Sequence, residues 1–554
     1  MATVKRPAPA SLADPFYYLA NARTLVGWVL DHHGDLLLDG EKAQLAAWLG
    51  AGREARALLV RMVMRKGEHF RLSRLRYPEI GDPSPAGVEL VSLGLVQEGA
   101  PIPVEELTDL LTLTELDACF AEAFAGAGLV RATKGMKRDW LCARPEYARS
   151  RPFADWWPAS QDRLLSLACM PLFERLRLMF FGNLRQDWSE FVLTELGNQR
   201  YETVVFTPES RAFRNRAEVD QYLALHRLRA RLEQGEAPAT LLDALPARLD
   251  NDWLAGRQDK LLFTLARAAE RAGEEDCAER AYRQSRHPEA RLRLARGLER
   301  RGRHEEAFSL ARQGLAAPRD EAERQGLQRL YRRLYKKAGA PAPVSVTEAA
   351  IPTRTLALPP SGERVERLAA EALAGPDAPV YYVENHLFNG LLALLCWEAI
   401  YAPLPGAFFH PFHAGPADLY RPGFAERRRT LLDDCLARLE NGSYHAAIMA
   451  RYRQKRGISC PLLAWPALSE PLLERALSCI PPAHLGAILT RLLSDLRGHG
   501  SGLPDLIRFL PDGGYELIEV KGPGDRLQDN QRRWLAFFHQ QDIAASVCQV
   551  RWSP

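Results

Sequence analysis

Two runs of branched and aromatic residues, LPDLIRFL at 503–510 and YELIEVK at 515–521, break into a chain whose other periodicity is helical. Only Pro511, Asp512, Gly513 and Gly514 separate them, a link of hairpin length. The segment LQDNQRRWLAFFHQ that follows has helical spacing and ASVCQVRW is strand-like again, so the chain ends in the order β, β, α, β. In that order Asp505, at the start of one strand, lies beside the end of the next. There Glu519 and Lys521 point to one side, because strand side chains alternate. Two carboxylates fourteen positions apart, with a lysine two residues beyond the second, can hold a divalent cation. Magnesium takes oxygen ligands from one or two carboxylates, a backbone carbonyl such as that of Val520, and a substrate phosphate. Lys521 can then orient a water or stabilise the charge of a phosphorane-like transition state. This is chemistry for cutting phosphodiesters.

At 554 residues the chain is long enough for roughly three or four domains. Nearly half of it is apolar, which excludes a disordered or fibrous chain. A net charge of +4 is too small to imply a nucleic-acid partner, so the distribution of charge must carry that argument. The nine cysteines form no CxxC pair, which favours a reducing compartment. The N-terminus lacks a signal-peptide core and the most apolar stretch, from Leu164, is broken by Glu174, Arg175 and Arg177. Neither secretion nor a membrane span is expected. The expected location is inside the cell, with the DNA.

From Ser11 to about Gly81 the apolar spacing is helical. Between Arg53 and Arg76 lie eight Arg or Lys residues, among them Arg61, Arg65, Lys66 and Arg71, against the acids Glu54 and Glu68. A second cluster, Arg131, Lys134, Lys137 and Arg138, opens a helix in LVRATKGMKRDWL. These are the candidate phosphate contacts. A solvated helix face with no partner produces the same run. Tyr17, Tyr18, Phe70, Tyr77 and Trp140 could add base stacking, though most are better placed in a core.

Residues 241–337 are helical and contain an internal repeat. LARAAERAGEEDCAERA and LARGLERRGRHEEAFSL align at an offset of 29, pairing Ala266 with Ala295, Gly273 with Gly302 and Ala278 with Ala307. Small residues with a glycine between helices allow close stacking, the mechanism of a tetratricopeptide-like solenoid. A proline-rich connector (Pro341, Pro343, Pro352, Pro359, Pro360) follows, and a new domain begins near Ile351.

The PD pair, followed fourteen positions later by E-V-K, resembles the PD-(D/E)XK nuclease signature. HGSGLPDLIRF with YELIEVKGPGDRLQDNQRRWL is similar throughout to the VRR-NUC domain, with Asp525, Arg526, Leu527 and Gln531 filling its supporting positions. Together with FYYLANARTLVGWVL, ALLVRMVMRKGEHFRLSRLRYPEI, ATKGMKRDWL and VENHLFNGLLALLCWEAIY, nearly the whole chain resembles the Fanconi-associated nuclease family. The resemblance implies a mainly α, multidomain protein. Its parts would be a helical DNA-binding region with a SAP-like segment (11–160), a helical linker region (161–240), tetratricopeptide-like repeats (241–340) and an α/β restriction-endonuclease-like VRR-NUC domain (351–554).

The resemblance further implies structure-selective cleavage of branched or flapped DNA near a 5′ flap, 5′ to 3′ exonuclease action and a role in interstrand crosslink repair, with magnesium or manganese. By position Glu384 joins Asp505, Glu519 and Val520 in the metal site, while Asp505, Glu519 and Lys521 form the catalytic core. Repair proteins could meet the helical repeats. No ubiquitin-binding zinc finger is visible in the sequence, so recruitment through ubiquitylated partners is not expected.

Two rivals stay open: a Holliday-junction resolvase-like or restriction-type nuclease, and a non-catalytic repair scaffold. Other signals are weaker. His32 and His33 lack partner carboxylates, His410 and His413 lack further ligands, and His499 precedes the Asp505 strand among glycines, where an active-site loop could lie. No Walker-type phosphate loop occurs, which argues against an ATP-driven motor.

Overall fold

Helical spacing gives helices where it predicts them in the computed structural model, which describes residues 14–186, 188, 200–340 and 351–553. The signal-peptide reading of 1–13 and the 341–350 part of the proline connector lie outside the described residues, as does 189–199 within the expected linker region. The chain divides into two compact units, 1–199 and 200–554.

The first unit opens with α1 (Tyr17–His33), α2 (Asp39–Gly50) and α3 (Arg53–Val63). Helix is not continued to Gly81. The chain turns through Gly67, at φ 92°, into strand β1 (His69–Arg71). After α4 (Pro83–Ser92), capped by Asp82, come β2 (Val96–Glu98) and, much later, β3 (Leu164–Leu167). β1 and β2 pair antiparallel with the two edges of β3, Phe70 opposite Leu165 and Gln97 opposite Ser166. Strands of three or four residues are too short to display a period of two, which is why this sheet was not expected in a helical region.

The basic residues of this unit have unequal fates. Arg71 is buried between Asp162 and Glu115, each at 2.7 Å, and holds the Glu115 carboxyl down to about 2. Arg61 donates to Glu79 and lies 3.8 Å from the centre of the Tyr18 ring. On α5 (Lys134–Cys142), Lys137 is fully buried, with its ammonium on Asp117 and the Val130 carbonyl. The expectation of phosphate contacts is corrected for Arg71 and Lys137, which cannot reach a ligand, and Arg61 is engaged internally. A run of charge in a sequence does not say which members turn inward. Arg65 and Lys66 are exposed, Lys134 is half-buried, and Arg138 is paired with Glu105 and Asp109. Of the aromatics, Tyr18 and Phe70 are core.

In the second unit, α6 (Asp252–Ala272), α7 (Glu275–Gln284), α8 (Ala290–Arg300) and α9 (His304–Ala316) form two helix pairs that reproduce the 29-residue offset. Gly273 and Gly302 end the first helix of each pair at φ 76° and 74°, a left-handed conformation that glycine adopts without strain. Ala266, Ala295, Ala278 and Ala307 are buried where the helices meet. A fifth helix, α10 (Glu321–Leu334), closes the stack.

Beyond the connector come β4 (Thr353–Leu358), α11 (Val365–Leu373), β5 (Val380–Tyr382), α12 (Leu387–Leu395), α13 (Pro482–Ser494) and α14 (Leu496–His499). The chain ends in β6 (Leu506–Phe509), β7 (Tyr515–Lys521), α15 (Asp529–Gln540) and β8 (Ala545–Trp552). The five strands form one mixed sheet in the order β4-β8-β7-β6-β5, with the expected β6–β7 hairpin in register as Leu506 opposite Ile518. β7 then runs parallel to β8 through the α15 crossover. Leu517 packs towards α12 and α15, while Ile518 and Val520 face Ala369 of α11. Every residue of α12 is buried, as expected of a helix that is apolar all round. Among the described residues no single helix is long and apolar enough to cross a membrane.

Lys137→Ala removes the buried partner of Asp117 and leaves a cavity, at a cost of about 1–3 kcal/mol. The expected outcome is a lower Tm in thermal unfolding, larger than for Arg65→Ala. Equal Tm values for the two variants would contradict the buried role.

Candidate active site

Three chain segments meet at one edge of the mixed sheet because their strands are hydrogen-bonded neighbours. Asp505 immediately precedes β6, and its Oδ2 accepts the Val520 N–H at 2.8 Å. On the other side of β6, the Val383 N–H donates to the Asp505 carbonyl at 2.8 Å, which brings Glu384, one residue beyond, to the same edge. Glu384 therefore reaches the site through β5, an element with no distinctive sequence pattern. Its carboxylate is held by the Tyr382 hydroxyl and the Asn385 amide.

Along β7 the period of two places Leu517, Glu519 and Lys521 on one face. The Lys521 ammonium lies 2.8 Å from Glu519 Oε1, and Gln531 in the first turn of α15 donates to the same oxygen at 2.6 Å. Asp525 is exposed and closes the intervening turn by accepting the Gly522 N–H at 3.1 Å, while Arg526 points to solvent. Thus Asp505, Glu519, Lys521 and Gln531 converge, and Glu384 borders them.

Glu519 is 1% exposed and Asp505 is 7% exposed. Burial, opposed by the Val520 N–H and reinforced by the charges of Glu384 and Glu366, pushes the Asp505 carboxyl up. Burial and then the Asp505 charge push Glu519 up in the same direction, against the pull of Lys521. Carboxylates whose ionisation is disfavoured by burial and by neighbouring acids are groups whose charge a cation would relieve. Their oxygen-only chemistry suits a hard divalent ion. Among the described residues no group of three His, Cys, Asp or Glu side chains is placed to hold a metal, so an ion here would need oxygen donors beyond the two buried carboxylates.

Sequence reasoning missed Tyr382 and Asn385. Asn385 adopts φ 52° and its Oδ1 accepts the Leu503 N–H at 3.1 Å, fixing the loop that enters Asp505. An asparagine beside the acid in VENH was the available signal, since asparagine tolerates a left-handed turn better than most residues. His499 does not serve the carboxylates. Its ring nitrogens meet the Arg491 carbonyl at 2.7 Å and Glu321 at 3.0 Å. His410 is buried and His413 half-buried, in ring contacts with Phe412 and Phe409, and His32 stacks on Trp28.

Three family models match the chain. Residues 16–97 match the FAN1 HTH domain, 101–156 the Fanconi anemia-associated nuclease SAP domain and 439–552 the VRR-NUC domain. The Fanconi-associated nuclease 1 homolog of Pseudomonas aeruginosa is 48% identical over 98% of this chain and 97% of its own length. The human Fanconi-associated nuclease 1 is 23% identical, over 96% of this chain and 62% of its own. A crystal structure of paFAN1 bound to 5′ flap DNA with a 2-nt flap and a gap superposes with a TM-score of 0.87 at 47% identity, covering 98% of this chain and all of that one. The chain is a metal-dependent DNA nuclease and belongs to the Fanconi-associated nuclease family.

Proposed function

We propose that this nuclease cuts branched DNA near a 5′ flap, with 5′ to 3′ exonuclease action, and serves interstrand crosslink repair with magnesium or manganese. The observation that carries this reading is the buried Asp505 and Glu519 pair beside Lys521, in a chain 47% identical to a protein crystallised on 5′ flap DNA. Asp505, Glu519, the Val520 carbonyl and Glu384 would hold the metal. When bound it supplies Lewis-acid stabilisation of charge on the phosphate. Lys521, ion-paired with Glu519, orients the attacking water and balances charge at the phosphoryl oxygens. Gln531 fixes the Glu519 carboxylate through its Oε1, and Asp525 sets the turn between them.

Exposed Arg65 and Lys66, half-buried Lys134, and Arg138, which is paired with Glu105 and Asp109, are proposed to contact DNA phosphates. The helical DNA-binding region, linker, repeats and nuclease domain with the boundaries given above supply the division of labour. The repeat stack offers helix faces to repair proteins, and the enzyme works wherever the DNA is.

Asp505→Ala and Glu519→Ala are each expected to lower the cleavage rate roughly a thousandfold, with DNA affinity within a few-fold of wild type. Activity near wild type in either variant with magnesium present would refute the assigned site. Removing the divalent ion with EDTA should stop cleavage, and comparing 5′ flaps, 3′ flaps and four-way junctions separates a flap enzyme from a resolvase. Glu384→Ala should also be defective; a wild-type rate would restrict the metal position to the hairpin.

Replacing Arg65 and Lys66 together by alanine should weaken binding to any DNA sequence. The slope of log affinity against log salt should become shallower by about 1 per lost contact. An unchanged slope would mean that these residues form a solvated surface only.

A further inference from the structure

Glu321 stands in the first turn of α10, the last helix of the repeat stack, and turns towards the nuclease sheet. Its Oε2 accepts from Arg491 Nη2 at 2.5 Å and from His499 Nε2 at 3.0 Å, and Arg533 Nε lies 3.8 Å away. All four side chains are at most 19% exposed. Burial would raise the Glu321 carboxyl, yet the hydrogen bond from His499 and the charges of Arg491, His499 and Arg324 hold it down to about 2. The first turn of α10 is itself fixed. Asp320 caps it by accepting the Glu323 N–H at 2.7 Å, and buried Glu323 takes the Arg291 guanidinium.

The partners of Glu321 lead straight to the candidate site. His499 ends α14, six residues before Asp505, and its carbonyl accepts the Trp534 indole N–H at 3.1 Å. Arg491 lies over the Trp534 and Phe537 rings. Both rings belong to α15, whose first turn carries Gln531 on the Glu519 carboxylate. One carboxylate from the repeats thus ties the segment entering Asp505 to the helix that orients Glu519.

We propose that Glu321 is a positioning residue for the nuclease centre, so that the last repeat helix is part of the catalytic framework as well as of the scaffold. The proposal rests on the site reading given above. Glu321 touches no substrate; it acts through His499 and Arg491 on the spacing between Asp505 and Glu519.

The test is the single-turnover cleavage rate of a 5′-flapped duplex at saturating full-length protein with magnesium, beside DNA affinity in EDTA and Tm. Glu321→Gln keeps the shape and removes the charge. The expected loss of rate is about tenfold, with DNA affinity within about twofold, because small displacements of reacting groups are costly. His499→Gln should lose a similar factor, and the double variant should fall no further than the poorer single, since both break one linkage. A purely structural role would lower Tm and leave the rate of the folded enzyme unchanged, and that result overturns the proposal. Should Glu321→Gln fail to fold, Glu321→Asp carries the test. A rate loss beyond about threefold at wild-type Tm supports the positioning role, and a wild-type rate overturns it. Asp505→Ala is measured in parallel: an active Asp505→Ala refutes the site, whereas an inactive one beside wild-type Glu321→Gln refutes only the positioning role.

Discussion

The hydrogen bond from the Val520 N–H to the Asp505 carboxylate is the contact on which the site depends. It exists because β6 and β7 are antiparallel neighbours in fixed register, Leu506 opposite Ile518, so the residue before one strand faces the end of the other. A slip of one residue would turn Glu519 and Lys521 to the face occupied by Ile518 and Val520. The apolar residues on both faces of β7 therefore secure Glu519 and Lys521 as firmly as the hydrogen bonds do.

Burying two carboxylates together is unfavourable unless something answers their charge. Here the answer is partial: one lysine, one backbone N–H and one glutamine amide. The remaining deficit is one that a divalent cation would answer, and an imbalance of this kind marks a candidate functional site. Two buried charges elsewhere are paired with opposite charge. Arg71 has two carboxylates and Glu323 has Arg291, and these are parts of the frame.

The basic residues show how the two situations differ. Arg61 and Arg71 lie in the same charged run as Arg65 and Lys66, and Lys137 in that of Lys134, yet they fasten elements of the first unit to one another. Composition counts them alike, but desolvation separates them: a charge turned inward keeps its place only with a carboxylate at hydrogen-bond distance.

The sequence by itself determined the terminal β, β, α, β order, the pairing of Asp505 with Glu519 and Lys521, the repeat offset and the family, because each rests on local alternation, short turns or motif spacing. Tertiary structure decided what depends on distant partners. The sheet of the first unit pairs Phe70 with Leu165, and Glu384 reaches the site only through the β5 pairing with β6. His499 precedes the Asp505 strand in the chain, but its ring turns to Glu321, 178 residues away. Periodicity reports a residue's own element and the face it occupies; which carboxylate waits opposite a buried cation is settled only when separate elements pack.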